Sequence, residues 1–140
     1  MATKAETRIL RAIVEYLTRH YRFYGYHVHG SMLQRSGEPD LDGSIWSHAL
    51  RCYVHIKIEV KTPTGEPTKL QLVRLGEYFR RGYLVGVVTS PVDMELVIMA
   101  YEKYQEGIID VLGGNVPLMS YRQATEEVGL GDPYGLYNGR

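Results

Sequence analysis

One ten-residue segment constrains this chain more than any other. Between residues 51 and 60, Cys52, Val54, Ile56, Ile58 and Val60 alternate with Tyr53, His55, Lys57 and Glu59. A strict period of two predicts a β-strand with one face against a core. Pro63, Gly65 and Pro67 then break regular structure, and Thr68 predicts the N-cap of a helix running to about Arg81 and ended by Gly82. Residues 83–89 form a compact apolar run, which predicts a buried strand. Ser90-Pro91-Val92-Asp93 predicts a helix start, with a helix to about Glu106.

Upstream, Ile9, Leu10, Ile13, Val14 and Leu17 recur at helical spacing, predicting a helix over residues 4–22. A short strand is predicted over residues 26–33. A turn follows at Ser36-Gly37-Glu38-Pro39, then a strand over residues 41–46. After Leu112 the chain is Gly-rich, and an irregular tail with one short helix near residues 121–128 is expected. The order α-β-β-β-α-β-α predicts an α/β fold with a central mixed sheet flanked by helices. Residues 1–112 are expected to form one domain. Residues 113–140 are expected to pack on it or to lie at a dimer interface.

At 140 residues the chain is the size of one ordinary domain. Its single cysteine, Cys52, excludes an internal disulfide framework and a cysteine-based zinc site. No apolar run approaches the ~18 residues of a membrane span, and no signal-peptide pattern opens the chain, so a cytoplasmic protein is expected (in the host cytoplasm if viral). Sixteen Lys and Arg balance sixteen Asp and Glu. That neutrality points away from a nucleic-acid partner until the charges are located. The first 81 residues carry a net +5 and the remainder a net −5, with an acidic island of Glu38, Asp40 and Asp42 between basic flanks. Such asymmetry suits a polyanion-binding face on the N-terminal part.

Two places could carry chemistry. Asp40 lies in the acidic island at the edge of a predicted strand. Glu59-Val60-Lys61 ends the clearest strand, with Glu59 and Lys61 on one face. If the neighbouring strand brings Asp40 alongside, two carboxylates converge with one lysine. Paired carboxylates favour a hard divalent cation such as Mg²⁺ or Mn²⁺. Taken singly, Glu-x-Lys at a strand end is usually a solvated ion pair and Pro-Asp a turn. The helical stripe adds Glu6, which falls within roughly 15° of its centre at ~100° per residue, whereas Glu15 falls nearly opposite. An inward carboxylate needs a partner.

Gly37-Glu38-Pro39-Asp40-Leu41, Ile58-Glu59-Val60-Lys61-Thr62-Pro63-Thr64-Gly65, Thr68, Gln71, Gly82 and the strand 84–88 together resemble the PD-(D/E)XK phosphodiesterases, and among them the VRR-NUC (virus-type replication–repair nuclease) family. Glu6-Thr7-Arg8-Ile9-Leu10 resembles that family's acidic start. The likeness spans residues 5–100. It implies a restriction-endonuclease-like core and a Mg²⁺- or Mn²⁺-dependent DNA endonuclease. Asp40, Glu59 and the Val60 carbonyl would hold metal, with Glu6 assisting through water. Lys61 would be the catalytic lysine, and Glu6 and Gln71 would complete the site. Stand-alone members resemble Holliday-junction resolvases, which implies a branched substrate and a homodimer. Alternatives are a general or nicking nuclease of the same fold and a non-catalytic DNA-binding or assembly protein.

Gln71 has a competing assignment as the last residue of a capping box begun by Thr68. The two roles are expected to exclude each other. Arg35, Lys57, Lys69, Arg74, Arg80 and Arg81 are candidate DNA contacts. Twelve of the fifteen aromatic residues are tyrosine, and Tyr16, Tyr21, Tyr24 and Tyr26 interleave with Arg19 and Arg22, a pattern found in nucleic-acid binding and in core edges alike. His20, His27, His29, His48 and His55 lack the spacing of a zinc site. His55 shares a strand face with Glu59. A dimer interface is expected on the apolar positions Val97, Ile98, Tyr101 and Tyr104, or on the Gly-rich tail.

Overall fold

The computed structural model describes residues 3–27, 36–113 and 119–137. It is an α/β protein built on a four-stranded mixed sheet of order β1-β2-β3-β4. The elements are α1 (Lys4–Tyr21), β1 (Tyr24–His27), β2 (Leu41–Ser47), β3 (Cys52–Val60), α2 (Lys69–Arg80), β4 (Leu84–Val88), α3 (Pro91–Gly113) and α4 (Tyr121–Val128). The strands β1, β2 and β3 pair antiparallel, and β3 pairs parallel with β4. A parallel pair needs a crossover, and α2 supplies it.

Both faces of β3 are put to use. Val54, Ile56, Ile58 and Val60 point to one face, where Leu41 and Ile45 join them from β2. The helices α1 and α3 cover that face. Leu10, Ile13 and Leu17 are buried, and Ser47 donates to Glu102 of α3 at 2.6 Å. The opposite face carries Lys57 and Glu59 and is covered near those residues by α2, which contributes Leu75 and Phe79 to the core. Full burial of one such aliphatic or aromatic side chain contributes about 1.5–3 kcal/mol.

The helix ends follow local chemistry. Thr3 caps α1 by accepting from the Glu6 amide at 3.1 Å, and Thr68 caps α2 in a reciprocal box with Gln71. Ser90 Oγ accepts from the Asp93 amide at the start of α3, and Asp93 accepts in turn from the Thr89 amide and hydroxyl. The expectation that this helix stops near Glu106 is corrected, because α3 continues to Gly113. Gly107 does not break it. A side chain there would come 3.2 Å from Met119 Cβ, so the glycine serves close packing of α3 against the residues that lead into α4. The strand expected at residues 26–33 begins two residues earlier, at Tyr24. Its later part and Arg35 lie outside the described residues.

The C-terminal stretch belongs to the same core. Tyr121, Ala124, Thr125 and Tyr137 are buried. The Tyr137 ring stacks on Tyr121 at 4.9 Å and meets Phe79 edge-on, while its hydroxyl donates to the Val85 carbonyl at 2.9 Å. Tyr137 thereby covers a backbone acceptor of the edge strand β4, one of the ways a sheet edge is protected. The expected dimer face on α3 is corrected too. Val97, Ile98, Tyr101 and Tyr104 are all 9% exposed or less, because they pack inward on this chain's own sheet and α4. Among the described residues no helix is long and apolar enough to cross a membrane.

Candidate active site

The β2–β3 register builds the site. Leu41 pairs with Ile58, so the residue before Leu41, Asp40, comes up against Glu59 at the end of β3. Asp40 Oδ2 accepts from the Val60 amide at 2.9 Å, which locks the two strand ends together. The turn before Asp40 is held against α2. Arg74 Nε donates to the Ser36 carbonyl at 3.2 Å, and the Tyr78 hydroxyl donates to Glu38 at 2.7 Å. Gly37 has φ +80°, and a side chain on it would sit 2.8 Å from Leu70 Cγ. Only glycine meets both conditions without strain.

Glu59 is the centre of the group and is 1% exposed. Its Oε1 accepts from Gln71 Nε2 at 3.0 Å and lies 3.7 Å from the Lys61 ammonium. Its Oε2 is buried and has no hydrogen-bond donor. Burial pushes the Glu59 carboxyl up to about 9. The Asp40 carboxylate adds to the rise, Lys61 opposes it, and Glu6 raises it further. A buried carboxylate against a part-buried one is costly to charge without a cation or a shared proton. Of the five side chains singled out from the sequence, Asp40, Glu59, Lys61 and Gln71 are gathered here. Glu6 is half-buried at the start of α1 and acts on Glu59 through its charge. Val60 contributes its amide to Asp40, a role the sequence reading did not assign it. Among the described residues no three His, Cys, Asp or Glu side chains form a ready metal cage.

The expected conflict over Gln71 does not arise. Its Oε1 accepts from the Thr68 amide at 2.8 Å while its Nε2 donates to Glu59. A side-chain amide has an acceptor end and a donor end, and both are used at once.

Several other assignments change. Lys57 is not a surface contact for DNA, because it is 8% exposed, donates to Asp42 Oδ2 at 2.9 Å and lies 4.5 Å from the centre of the Tyr78 ring. Burial works against its charge, but the Asp42 hydrogen bond and charge, with Tyr78 and Glu38 behind them, hold it above the usual lysine range. Arg74 is committed to Ser36 and to Glu77 at 3.2 Å, so it braces the turn before Asp40 rather than offering itself to phosphate. Lys69 and Arg80 of α2 and its C-cap Arg81 are exposed. Tyr16 and Tyr21 are core-edge residues whose hydroxyls both donate to Glu95 of α3, and burial beside that carboxylate raises both phenols, Tyr16 to about 12. Among the described residues the histidines form no cluster. His55 Nε2 contacts Asp42 Oδ1 at 2.9 Å and His48 Nε2 contacts the His20 carbonyl at 2.9 Å.

The Asp42–Lys57–His55 group was missed from the sequence. The pairing of Asp42 with Lys57 follows directly once Leu41 is set opposite Ile58, so the signal was the register itself. In comparison with known proteins, no family model matches the chain, and no curated protein or solved structure matches it either.

Proposed function

We propose that this protein is a divalent-metal-dependent DNA endonuclease with a restriction-endonuclease-like core of the VRR-NUC kind. One observation carries the reading. Glu59 presents a buried oxygen with no donor, beside Asp40 and within reach of a lysine, at the end of a strand. Such an oxygen fits a cation better than it fits any other group nearby. Two converging carboxylates suit Mg²⁺ or Mn²⁺, which keep water ligands and are commonly bound by one or two carboxylates plus substrate phosphate.

Asp40 and Glu59 would hold the cation, which supplies Lewis-acid stabilisation of a phosphate and a more acidic water. The Gln71 amide fixes Glu59 Oε1, leaving Oε2 to face the cation. The Val60 amide fixes one Asp40 oxygen in the same way. The Lys61 ammonium orients the attacking water and neutralises charge that builds on the phosphate oxygens. Water adds to phosphorus, the bond to the 3′ oxygen breaks, and that oxygen takes up a proton, leaving a 3′-hydroxyl and a 5′-phosphate. A branched substrate cut on both strands would require two copies of the chain, meeting through a surface other than the buried face of α3.

The test compares wild type with Lys61→Ala on labelled four-way junction, flap, duplex and single-stranded DNA, with Mg²⁺, Mn²⁺ or EDTA. Cleavage that needs metal and drops at least ~100-fold in the variant is expected. No metal-dependent cleavage of any substrate, or equal cleavage by the variant, would sink the mechanism.

A further inference from the structure

The sheet face that carries Glu59 does not end at the candidate site. It runs back along β3 through Lys57 and His55 to Tyr53. Helix α2 covers the Glu59 end of that face. The far end is open among the described residues, and it is aromatic. Tyr53 is 58% exposed, and across the strand pair its ring meets Trp46 edge-to-face at 5.0 Å. Tyr24 of β1 pairs with Ser44, two residues from Trp46, so it presents to the same face, and it is 83% exposed. The Arg22 guanidinium lies 5.3 Å from the centre of the Trp46 ring. Arg22 is exposed.

Exposed aromatic faces with a guanidinium group at their rim match the chemistry of unpaired nucleotides, whose bases stack and whose phosphates are charged. Duplex DNA offers no free base faces to such a surface. The patch also shares a sheet face with the candidate site. From Tyr53 to Glu59 is ~20 Å at ~3.3 Å per residue, the length of roughly six stacked nucleotides at ~3.4 Å each.

We propose that Tyr24, Trp46 and Tyr53, with Arg22, form a stacking platform for an unpaired DNA strand on the part of the sheet that α2 leaves open, from which the strand is delivered to the Asp40–Glu59 site. The destination of that strand rests on the nuclease reading, whereas the stacking itself does not. The consequence is a substrate with a single-stranded stretch, such as a flap or an open junction, in preference to continuous duplex.

Trp46 is the only tryptophan, so its emission reports on the platform directly. The full chain is titrated in EDTA with a short oligothymidylate and with a blunt duplex of equal length. The single strand should quench Trp46, the duplex should not, and Tyr24→Ala and Tyr53→Ala should each weaken single-strand binding about tenfold. Tyr53→Phe should restore it, because stacking needs the ring and not the hydroxyl. Tyr24 is so exposed that its replacement leaves the core intact, which keeps the test valid should Tyr53→Ala misfold. Unchanged Trp46 emission at saturating single strand, or wild-type affinity in folded Tyr24→Ala, would overturn the platform. Quenching in a protein that cleaves nothing with Mg²⁺ or Mn²⁺ would support the platform while removing the nuclease reading. Metal-dependent cleavage of duplex and single strand alike, unaltered by Tyr24→Ala, would overturn the platform and leave the nuclease reading standing.

Discussion

The strand β3 serves two lysine–carboxylate groups on one face, and they differ in how their charges close. Lys57 meets Asp42 at 2.9 Å under the Tyr78 ring, with His55 on the other Asp42 oxygen. Four positions further on, Lys61 meets Glu59 at 3.7 Å, yet Asp40 and Glu6 add negative charge and one Glu59 oxygen has no donor. Both lysine–carboxylate pairs are largely buried, so burial does not distinguish them. Their difference is the surplus of acid. A closed pair is part of the fold, whereas a surplus of buried acid costs stability until a cation or proton arrives.

Glu59→Gln gives the sharpest break of that comparison. The amide removes the surplus charge and can offer a donor to Asp40. Cleavage should fall at least ~100-fold, while the metal-free variant should melt at or above the wild-type temperature. Cleavage rate and thermal melting in EDTA, measured on the same preparation, check this. A variant that loses stability as an ordinary broken ion pair does would place Glu59 in the same class as Lys57.

The pH dependence of the metal-free protein comes next in size. Glu59 sits at about 9 in the folded chain against 4.5 for an ordinary glutamate. Between those values the folded state holds a proton that the unfolded state has released, so stability falls as pH rises. The contribution is fully present below about 4.5 and lost on passing about 9. A single group gives a slope of at most ~1.4 kcal/mol per pH unit. Melting in EDTA from pH 6 to 9 should follow that descent. Mn²⁺ should flatten it by taking the proton's place, and Glu59→Gln should abolish it. A slope that survives in the variant would show that the surplus acid lies elsewhere.

The closed pair makes the opposite prediction. Lys57→Ala leaves Asp42 part-buried without its ammonium partner and should cost about 3 kcal/mol, read from urea midpoints. Lys57→Met keeps packing under Tyr78 and should cost less than Lys57→Ala. Cleavage per folded molecule should stay within a few-fold of wild type in both. A loss of the size expected for Lys61→Ala would join the two groups into one site.

These contrasts also mark what could be read from the sequence. The period-two pattern located β3, and the Pro-Asp turn ahead of a strand brought Asp40 to Glu59, because hairpin register is a local consequence of alternation. Lys57 was misread for the same reason. Alternation assigns every second residue to solvent, but Ile56 to Val60 are all buried, since α2 lies over the second face of the strand's end. That cover is a tertiary fact carried by Tyr78 and Gln71, some 12–21 residues away. The dual use of Gln71 was hidden because one residue letter conceals two ends of different chemistry. Tyr137 gives no local sign of its core position in a Gly-rich stretch, since its partners Phe79, Val85 and Tyr121 are distant in sequence.

His55 bounds the comparison from below. Its ring reaches Asp42 at 2.9 Å, as Lys57 does, but its side chain is 52% exposed. Water screens a pair of that kind, and the typical worth is under ~1 kcal/mol. Lys57 already satisfies the second Asp42 oxygen, so removing the imidazole leaves the carboxylate partnered. His55→Ala should therefore shift the urea midpoint by less than a third of the Lys57→Ala effect. Tyr83, 4.6 Å from the His55 ring, loses a packing partner and accounts for part of even that change. If His55→Ala proves as costly as Lys57→Ala, closure of the group requires all three members, and the contrast with Glu59 becomes one between a complete triad and an incomplete one.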